Sequence, residues 1–338
     1  MKSSYGDNLK LTIFGTSHGP EIGMMLEGVP AGLPVDTEAL QQFMNRRAPG
    51  QHEWSTSRKE TDVPHFLSGI TDGVTNGETI HAVIYNENVR KSDYDELKYI
   101  PRPGHADYAA WMKYGLDFDM SGGGPFSGRM TAPMCIAGGL CKQWLEAKGV
   151  QIQAEILQIA SLHKKTCNSF ETEMLSEIKK AKADGDSIGG RISCTITGVP
   201  AGLGDSLFSG VESHLASILY SIPAVKCVGF GDSDEFSYMS GSQSNDAFLV
   251  EEGIVKTATN HCGGILGGIT NGMPIIFDVT FKPTPSIGKP QKSVNLKTME
   301  EVTIEIKGRH DPCIVPRAVP VVEAAAAIAI YDLILGEQ

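Results

Sequence analysis

The sequence predicts an α+β fold in which antiparallel β-sheets carry helices layered against them. The strand-like segments follow one another as meanders and hairpins rather than as βαβ units, which favours antiparallel sheets over a doubly wound parallel sheet. The chain also repeats itself, because the hexapeptide GVPAGL occurs at 28–33 and again at 198–203. With 338 residues, the chain is long enough to bury a large core without a disulfide or a metal staple.

Two weaker echoes follow the hexapeptide in the same order. The tripeptide TNG at 75–77 returns at 270–272, and RMTAPMCIAGGL, from Arg129, is similar to RAVPVVEAAAAI, from Arg317. The offsets differ, as expected when loops are inserted after an old duplication. We therefore predict a single domain over 1–338, built from an internally duplicated unit with pseudo-repeats at approximately 6–150 and 185–336.

The elements of the first unit follow in chain order. Apolar runs predict strands at 9–14, 21–28 and 79–85. Between the last two of these strands, Asp36 is a suitable N-cap for a helix over 36–48 that ends before a proline.

The second unit shows the same order of elements. Strands are predicted at 191–198 and 274–281, with a helix at 209–220 between them. Each unit ends in a helix rich in small residues, at about 134–148 and 320–334, and such helices can pack closely against other elements.

Composition argues against several classes of partner. The formal net charge of −11 disfavours nucleic acid or an anionic membrane. Seven scattered cysteines without a CxxC pair indicate a reducing compartment. The longest apolar stretch, 318–331, is interrupted by Pro320 and Glu323 and is shorter than the ~20 residues that a membrane span needs. The N-terminus has no apolar core of signal-peptide length, so we expect a cytoplasmic protein.

Arginines are concentrated in short polar clusters flanked by Gly or Pro. The sequence has no P-loop, dinucleotide fingerprint, HExxH or GxSxG motif. Its clusters are GTSHG (15–19), NRRAPG (45–50), SRKETD (57–62), RPGHADY (102–108), GGGPFSGR (122–129), KPTPS (282–286) and GRHDPCIVPR (308–317). Guanidinium groups bind carboxylates and phosphates with directional, bidentate bonds. The clusters therefore predict a pocket for a small polyanion within an acidic chain.

In their order and spacing these clusters resemble the chorismate synthase family over nearly the whole chain. GGILGGITNG, from Gly263, and the continuation of the last cluster through Glu323 extend the resemblance. It implies a carbon–oxygen lyase of the shikimate pathway of aromatic amino acid biosynthesis. Such an enzyme removes phosphate from 5-enolpyruvylshikimate 3-phosphate by 1,4-anti-elimination to give chorismate. The resemblance further implies reduced FMN as cofactor without net redox change, a β-α-β sandwich of two antiparallel sheets enclosing helices, and a homotetramer.

The resemblance also implies roles for individual residues. His105 would protonate the reduced flavin and His18 the leaving phosphate, two general-acid roles suited to imidazole. Asp311 would serve flavin N5 as a base, with Ser17 and Ser127 as relay hydroxyls. The substrate anions would be bound by Arg46, Arg47, Arg58, Arg129 and Arg317. The cofactor would be bound by Ser127, Ala224, Gly267, Lys282, Thr284, Ser286 and Arg309.

The chain departs from the family pattern at a few positions. Pro125 and Met130 stand where an arginine and a glutamate are common, and Ala48 and Glu53 replace two further arginines. Longer members of the family reduce their own flavin with NADPH. Because this chain is short and Glu53 disfavours an anionic nicotinamide phosphate, we expect a form that takes its flavin already reduced.

Two other functions remain open at this point. A non-catalytic paralogue would bind flavin or a shikimate-type anion without turnover, a hypothesis motivated by Pro125, Met130 and Glu53. A metal-dependent phosphohydrolase would use the carboxylates and imidazoles of two short motifs, His105 with Asp107 and His310 with Asp311.

Overall fold

The structure, a computed structural model, describes residues 3–50, 60–86, 98–306 and 311–337. Four residues named above lie outside the described residues: Glu53, Arg58, Arg309 and His310.

The described residues form the following helices and strands. The helices are α1 Thr37–Arg47, α2 Asp107–Tyr114, α3 Thr131–Glu146, α4 Phe170–Ala183, α5 Val211–Leu219, α6 Gly241–Ser244 and α7 Val315–Gly336. The strands are β1 Ser4–Tyr5, β2 Lys10–Gly15, β3 Glu21–Glu27, β4 His65–Ser68, β5 Ile70–Thr71, β6 Val74–Thr75, β7 Ile80–Tyr85, β8 Gln151–Ile159, β9 Leu162–His163, β10 Gly190–Thr197, β11 Val225–Phe230, β12 Phe248–Glu251, β13 Ile254–Thr257, β14 Ile265–Leu266, β15 Ile269–Thr270, β16 Ile275–Phe281, β17 Gln291–Asn295 and β18 Glu300–Ile304.

Two five-stranded antiparallel sheets contain most of the long strands. Their orders are β1-β2-β3-β7-β4 and β9-β8-β10-β16-β11. All neighbouring strands in both sheets run antiparallel. The predicted antiparallel sheets are therefore confirmed, and every strand predicted from an apolar run lies in one of them.

The helix predicted over 36–48 shows how local sequence sets an element. The carboxylate of Asp36 accepts a hydrogen bond from the backbone N–H of Ala39 at 2.9 Å, which satisfies one of the free donors of the first turn. Leu40, Phe43 and Met44 are buried and pack the helix into the core. Arg47 is its last residue, so both arginines of the NRRAPG cluster lie in the last turn of the helix.

Two buried helices form the layer between the sheets. Helix α3 packs against β2, β3 and β7 of the first sheet, and α7 packs against β8 and β10 of the second. The two helices also pack on each other, and a Cβ at Gly138 of α3 would overlap the backbone of Ala324 of α7. Small residues at this crossing allow the close approach that the sequence predicted. The fold is thus the expected sandwich of two antiparallel sheets enclosing helices.

The apolar stretch near the C-terminus belongs to this layer. Among the residues that the structure describes, one helix, α7, is long and apolar enough to cross a membrane, and 83% of that stretch is buried inside the protein. Ala324 to Ala327 are fully buried. The burial of α7 between the sheets accounts for its apolar sequence.

The two GVPAGL turns have the same hydrogen bonds. Thr75 Oγ1 donates to the carbonyl of the turn's proline at 2.6 Å and accepts from the amide of its leucine at 2.9 Å. Thr270 makes the same two bonds to the second turn, at 2.6 and 2.9 Å. Four neighbouring strands of the first sheet, β2-β3-β7-β4, correspond in order to β8-β10-β16-β11 of the second. Strand β8 lies before residue 185, so the second sheet begins upstream of the predicted second pseudo-repeat. We retain the internal duplication, with pseudo-repeats at 6–150 and 185–336, as a proposal.

Candidate active site

A cavity of about 670 Å³ lies at the beginnings of three helices. Ala106 precedes α2, Thr131 begins α3 and Arg317 lies in the first turn of α7, and all three line the cavity. The first turn of a helix has backbone N–H groups without intrahelical partners and carries partial positive charge. Three such ends around one cavity favour anionic ligands.

Most of the residues predicted for the site line this cavity. They are Ser17, His18, Arg47, His105, Ser127, Arg129, Ala224, Lys282, Thr284, Ser286, Asp311 and Arg317. Residues from both pseudo-repeats contribute, so the cavity exists only when the two sheets and the helices between them are assembled.

Two predicted residues do not line the cavity. Arg46 makes a bidentate ion pair with Glu323 of α7, with nitrogen–oxygen distances of 2.8 and 2.9 Å. Gly267 lies in the turn between β14 and β15 with φ +63°, and a Cβ there would meet nothing within 4 Å. The structure gives Gly267 a backbone reason to be glycine, and gives Arg46 a protein partner in place of a ligand.

Three consecutive glycines form the wall against which both predicted acids lie. Gly122, Gly123 and Gly124 have φ values of 60°, 88° and 51°, which favour glycine. A Cβ at Gly122 would overlap the imidazole of His18, and a Cβ at Gly123 would lie 3.2 Å from Nε2 of His105. The GGG motif therefore leaves space for two imidazoles beside one another in the same wall.

The RPGHAD segment folds back so that its charged residues meet. The amide of His105 donates to the carbonyl of Arg102 at 3.1 Å, closing a turn with Pro103 second and Gly104 third, at φ +74°. Asp107, the first residue of α2, then accepts from Nε and Nη2 of Arg102, both at 2.7 Å, and lies 2.7 Å from Nδ1 of His105. Burial alone would raise the pKa of Asp107, but the hydrogen bonds from Arg102 and His105 outweigh burial and hold that pKa well below its usual range.

A second buried carboxylate joins two of the cavity arginines. Asp62 accepts from Nη1 of Arg47 at 2.7 Å and also from Nη1 of Arg129. Arg47 further donates to Thr131 Oγ1 at 3.1 Å and to the carbonyl of Gly128 at 2.9 Å. With φ +51°, Asp62 adopts a backbone conformation that is uncommon outside glycine. This network fixes both guanidinium groups before any ligand binds.

Arg129 uses only part of its hydrogen-bonding capacity on the described residues. Its Nε donates to Asn86 Oδ1 at 3.1 Å, but its buried Nη2 makes no hydrogen bond to the described residues and lies 4.0 Å from the carboxylate of Glu60. Burial also lowers the pKa of both Arg129 and Arg317. The cationic forms of these arginines would therefore gain from a further anion in the cavity.

Two lysines and the predicted base also line the cavity. Burial, and then the charge of Lys226, lowers the pKa of Lys282, whose Nζ donates to the carbonyl of Gly104. Asp311 forms an ion pair with Arg317, and its carbonyl accepts from Thr284 Oγ1 at 2.7 Å. Lysine and arginine side chains thus both line the cavity, and Asp311 adds a carboxylate beside Arg317.

Sequence reasoning missed the contacts of two carboxylates and of one arginine. It assigns no role to Asp62, names Asp107 only in the metal hypothesis, and counts Arg102 only in a basic cluster. The structure does bring His105 and Asp107 together, but it also pairs Asp107 with Arg102. Among the described residues, the group with metal-like spacing is Asp7, His214 and Asp332, and it does not line the cavity.

Comparisons with known proteins agree with this geometry. A family model described as chorismate synthase matches residues 9–335. A protein named chorismate synthase from Lancefieldella parvula is 42% identical, covering 98% of this chain and 96% of the relative. One from Thermococcus kodakarensis is also 42% identical, covering 98% of each chain. A solved structure titled as a chorismate synthase crystal structure superimposes with a TM-score of 0.75 at 25% identity, covering 98% of this chain and 93% of that one.

Proposed function

Because the chain belongs to the chorismate synthase family, it is a lyase that eliminates phosphate from 5-enolpyruvylshikimate 3-phosphate, and we propose that the elimination takes place in the cavity at the three helix ends. One observation carries this proposal: two histidines and the guanidinium groups of four arginines line a single cavity. The substrate has one phosphate and two carboxylates, and its small size suits a cavity of this volume.

The substrate anions are proposed to bind at the buried arginines. Nη2 of Arg129 makes no hydrogen bond to the described residues, and Arg47 is fixed beside it by Asp62. Arg317 lies at the start of α7, where helix and guanidinium charge add. Arg58 keeps its predicted role outside the described residues. For Arg46 the prediction is weaker, because Glu323 already pairs with it.

The family requires reduced flavin, and we infer that this chain uses reduced FMN. The residues present fit an anionic cofactor: Lys282 and Lys226 supply positive charge, and Ala224, at φ +74°, lines the same cavity. Ser127, Thr284 and Ser286 supply hydroxyls to the cavity. The predicted set also includes Gly267, which does not line this cavity, and Arg309, which lies outside the described residues. Reduced flavin supplies electron density that eases phosphate departure and recovers it as hydrogen leaves, so no net redox change results.

We assign proton transfer to His18 and His105, which lie against the three glycines, and to Asp311. His18 holds a proton for the phosphate as it leaves, and His105 holds one at Nε2, the nitrogen beside Gly123. The carboxylate of Asp311 accepts a proton, and the ion pair with Arg317 holds that carboxylate in place. Ser17 and Ser127 both line the cavity and are proposed as relays.

We also infer a homotetramer in the cytoplasm. Apolar side chains are exposed on the hairpin β12–β13, where Val250 is 73% exposed, and Phe208 and Tyr238 are 91% and 87% exposed. A two-stranded hairpin is marginal in water unless something covers it. The seven cysteines are all free, which suits a reducing compartment.

An anaerobic assay tests the function directly. We expect the protein with chemically reduced FMN and substrate to release chorismate and phosphate in equal amounts, and to release neither with oxidised FMN. His18→Ala and His105→Ala should each lower kcat by about 10²–10⁴-fold, whereas His65→Ala, on an exposed strand outside the cavity, should not. Tight FMN binding by folded protein without any turnover would favour the non-catalytic paralogue.

A further inference from the structure

We propose that Asp107, clamped by Arg102, is a positioning residue that fixes the tautomer of His105 and presents its Nε2 to the cavity. The inference rests on the proposed role of His105 as a proton donor. It adds a group that acts through His105 and not on the substrate, since Asp107 itself does not line the cavity.

The carboxylate of Asp107 accepts from three donors of Arg102 and contacts the imidazole of His105. Its Oδ2 accepts from the backbone N–H of Arg102 at 3.0 Å and from Nε at 2.7 Å. Its Oδ1 accepts from Nη2 of Arg102 at 2.7 Å and lies 2.7 Å from Nδ1 of His105. Asp107 is only 2% exposed, so water does not compete for these bonds. A forked arginine–carboxylate pair of this kind fixes both partners in one orientation.

The surroundings of Nδ1 determine which nitrogen of His105 carries the proton in the neutral ring. Nδ1 has two near neighbours, Oδ1 of Asp107 at 2.7 Å and Nη2 of Arg102 at 3.1 Å. A carboxylate can only accept and a guanidinium can only donate. The shorter contact is to the acceptor, and Nη2 of Arg102 already donates to the same oxygen. Nδ1 therefore carries its hydrogen and donates it to Asp107.

Fixing that hydrogen leaves Nε2 as the nitrogen that exchanges protons. Nε2 is the atom of His105 next to Gly123, at 3.2 Å from the position a Cβ would take. When the cationic imidazole gives up a proton, Nδ1–H stays on Asp107 and Nε2 keeps the lone pair. The same atom then takes the next proton, so loss and gain both occur at the cavity wall.

Replacing Asp107 by Asn reverses the preference at Nδ1. The amide oxygen is expected to remain opposite the backbone N–H and Nε of Arg102, because the amide nitrogen then faces one donor of Arg102, Nη2, whereas the flipped amide would place it against two. The amide nitrogen then stands where Oδ1 stood and donates to Nδ1 of His105. The ring must carry its hydrogen on Nε2 in the neutral form, which is the wrong tautomer for accepting a proton there.

The experiment combines turnover with a spectroscopic measurement on the full chain. We expect Asp107→Asn to lower kcat by about 10²–10⁴-fold with KM for the substrate little changed. The ¹⁵N chemical shifts of the His105 ring, assigned by their loss in His105→Gln, should report Nδ1–H in the wild type and Nε2–H in the variant. Asp117→Asn, an exposed change of the same chemistry just beyond α2, should alter neither.

A double variant separates positioning from a merely structural role. If Asp107 acts through His105, Asp107→Asn should have little further effect on kcat in the His105→Gln background. An undiminished effect there, or an Nε2–H ring in the wild type, would overturn the inference, and the wild-type spectrum decides it even if the variant does not fold. Near-normal turnover in His105→Gln alone would instead refute the role proposed for His105.

Discussion

A methyl group added at Gly122 is expected to move His18 and so to lower turnover. The Cβ of Gly122→Ala would lie well inside the 3.0 Å that real Cβ atoms keep from their neighbours, and it would meet Nδ1 and Cε1 of the imidazole. The ring must shift by roughly 1 Å or more to relieve this overlap, and a misplacement of that size costs about 10²-fold in rate. Gly122 also has φ +60°, where a residue with a Cβ costs about 1–2 kcal/mol.

A matched variant separates the steric effect from the backbone effect. Gly32 has φ +87° in the first GVPAGL turn, and a Cβ there would meet nothing within 4 Å. Gly32→Ala should therefore lose about 1–2 kcal/mol of stability, as Gly122→Ala does, but keep its kcat. The measurements are anaerobic turnover with reduced FMN and thermal unfolding of both variants. Wild-type kcat in Gly122→Ala would refute the placement of His18 against the glycine wall.

Three further outcomes can be tested on the same protein. Burial alone would raise the pKa of Asp62, but the two arginines beside it hold that pKa below its usual range. Its carboxylate therefore stabilises the fold fully above the unfolded-state pKa of about 3.9. That stabilisation is lost as the pH falls through the pKa of the folded state. Thermal unfolding of Asp62→Asn should accordingly show a lower Tm at neutral pH and a flatter dependence below about pH 4. In steady-state assays, Arg129→Gln should raise KM for the substrate by about 10-fold or more. Arg46→Gln should change KM little, because the guanidinium of Arg46 is already paired with the carboxylate of Glu323 in α7. Thr75→Val and Thr270→Val should each lower the free energy of unfolding by about 1–3 kcal/mol, and by similar amounts, in denaturant titrations.

The elements of the fold could be predicted because their signals are local. The helix from Thr37 to Arg47 has its N-cap in the sequence, and the strands that flank it are apolar runs. The repeated hexapeptide indicated that one turn would recur. What closes that turn is a threonine 42 residues beyond its leucine. The repeated TNG indicated that this threonine recurs, but not that it contacts the turn.

The site was predictable as a set of motifs but not as a set of contacts. Arg46 and Arg47 are neighbours on α1, where successive side chains point about 100° apart, so one can meet α7 while the other meets the cavity. Sequence order does not say which does which. The burial of Asp62 could not be predicted either, because an acidic residue after a polar run usually lies on the solvated surface. Only the fold places it against two arginines.

The small-residue crossing of α3 and α7 has a consequence for the cavity some distance away. Gly138 lies seven residues beyond the start of α3, or roughly 10 Å along the axis, and Ala324 is similarly placed in α7. The starts of these two helices carry Arg129 and Arg317. The separation of α3 and α7 at the crossing therefore sets the distance between two proposed anion-binding groups. A bulkier residue at either position would increase the distance between Arg129 and Arg317. Such a variant would favour longer anions over shorter ones, although no residue that contacts the anion has changed.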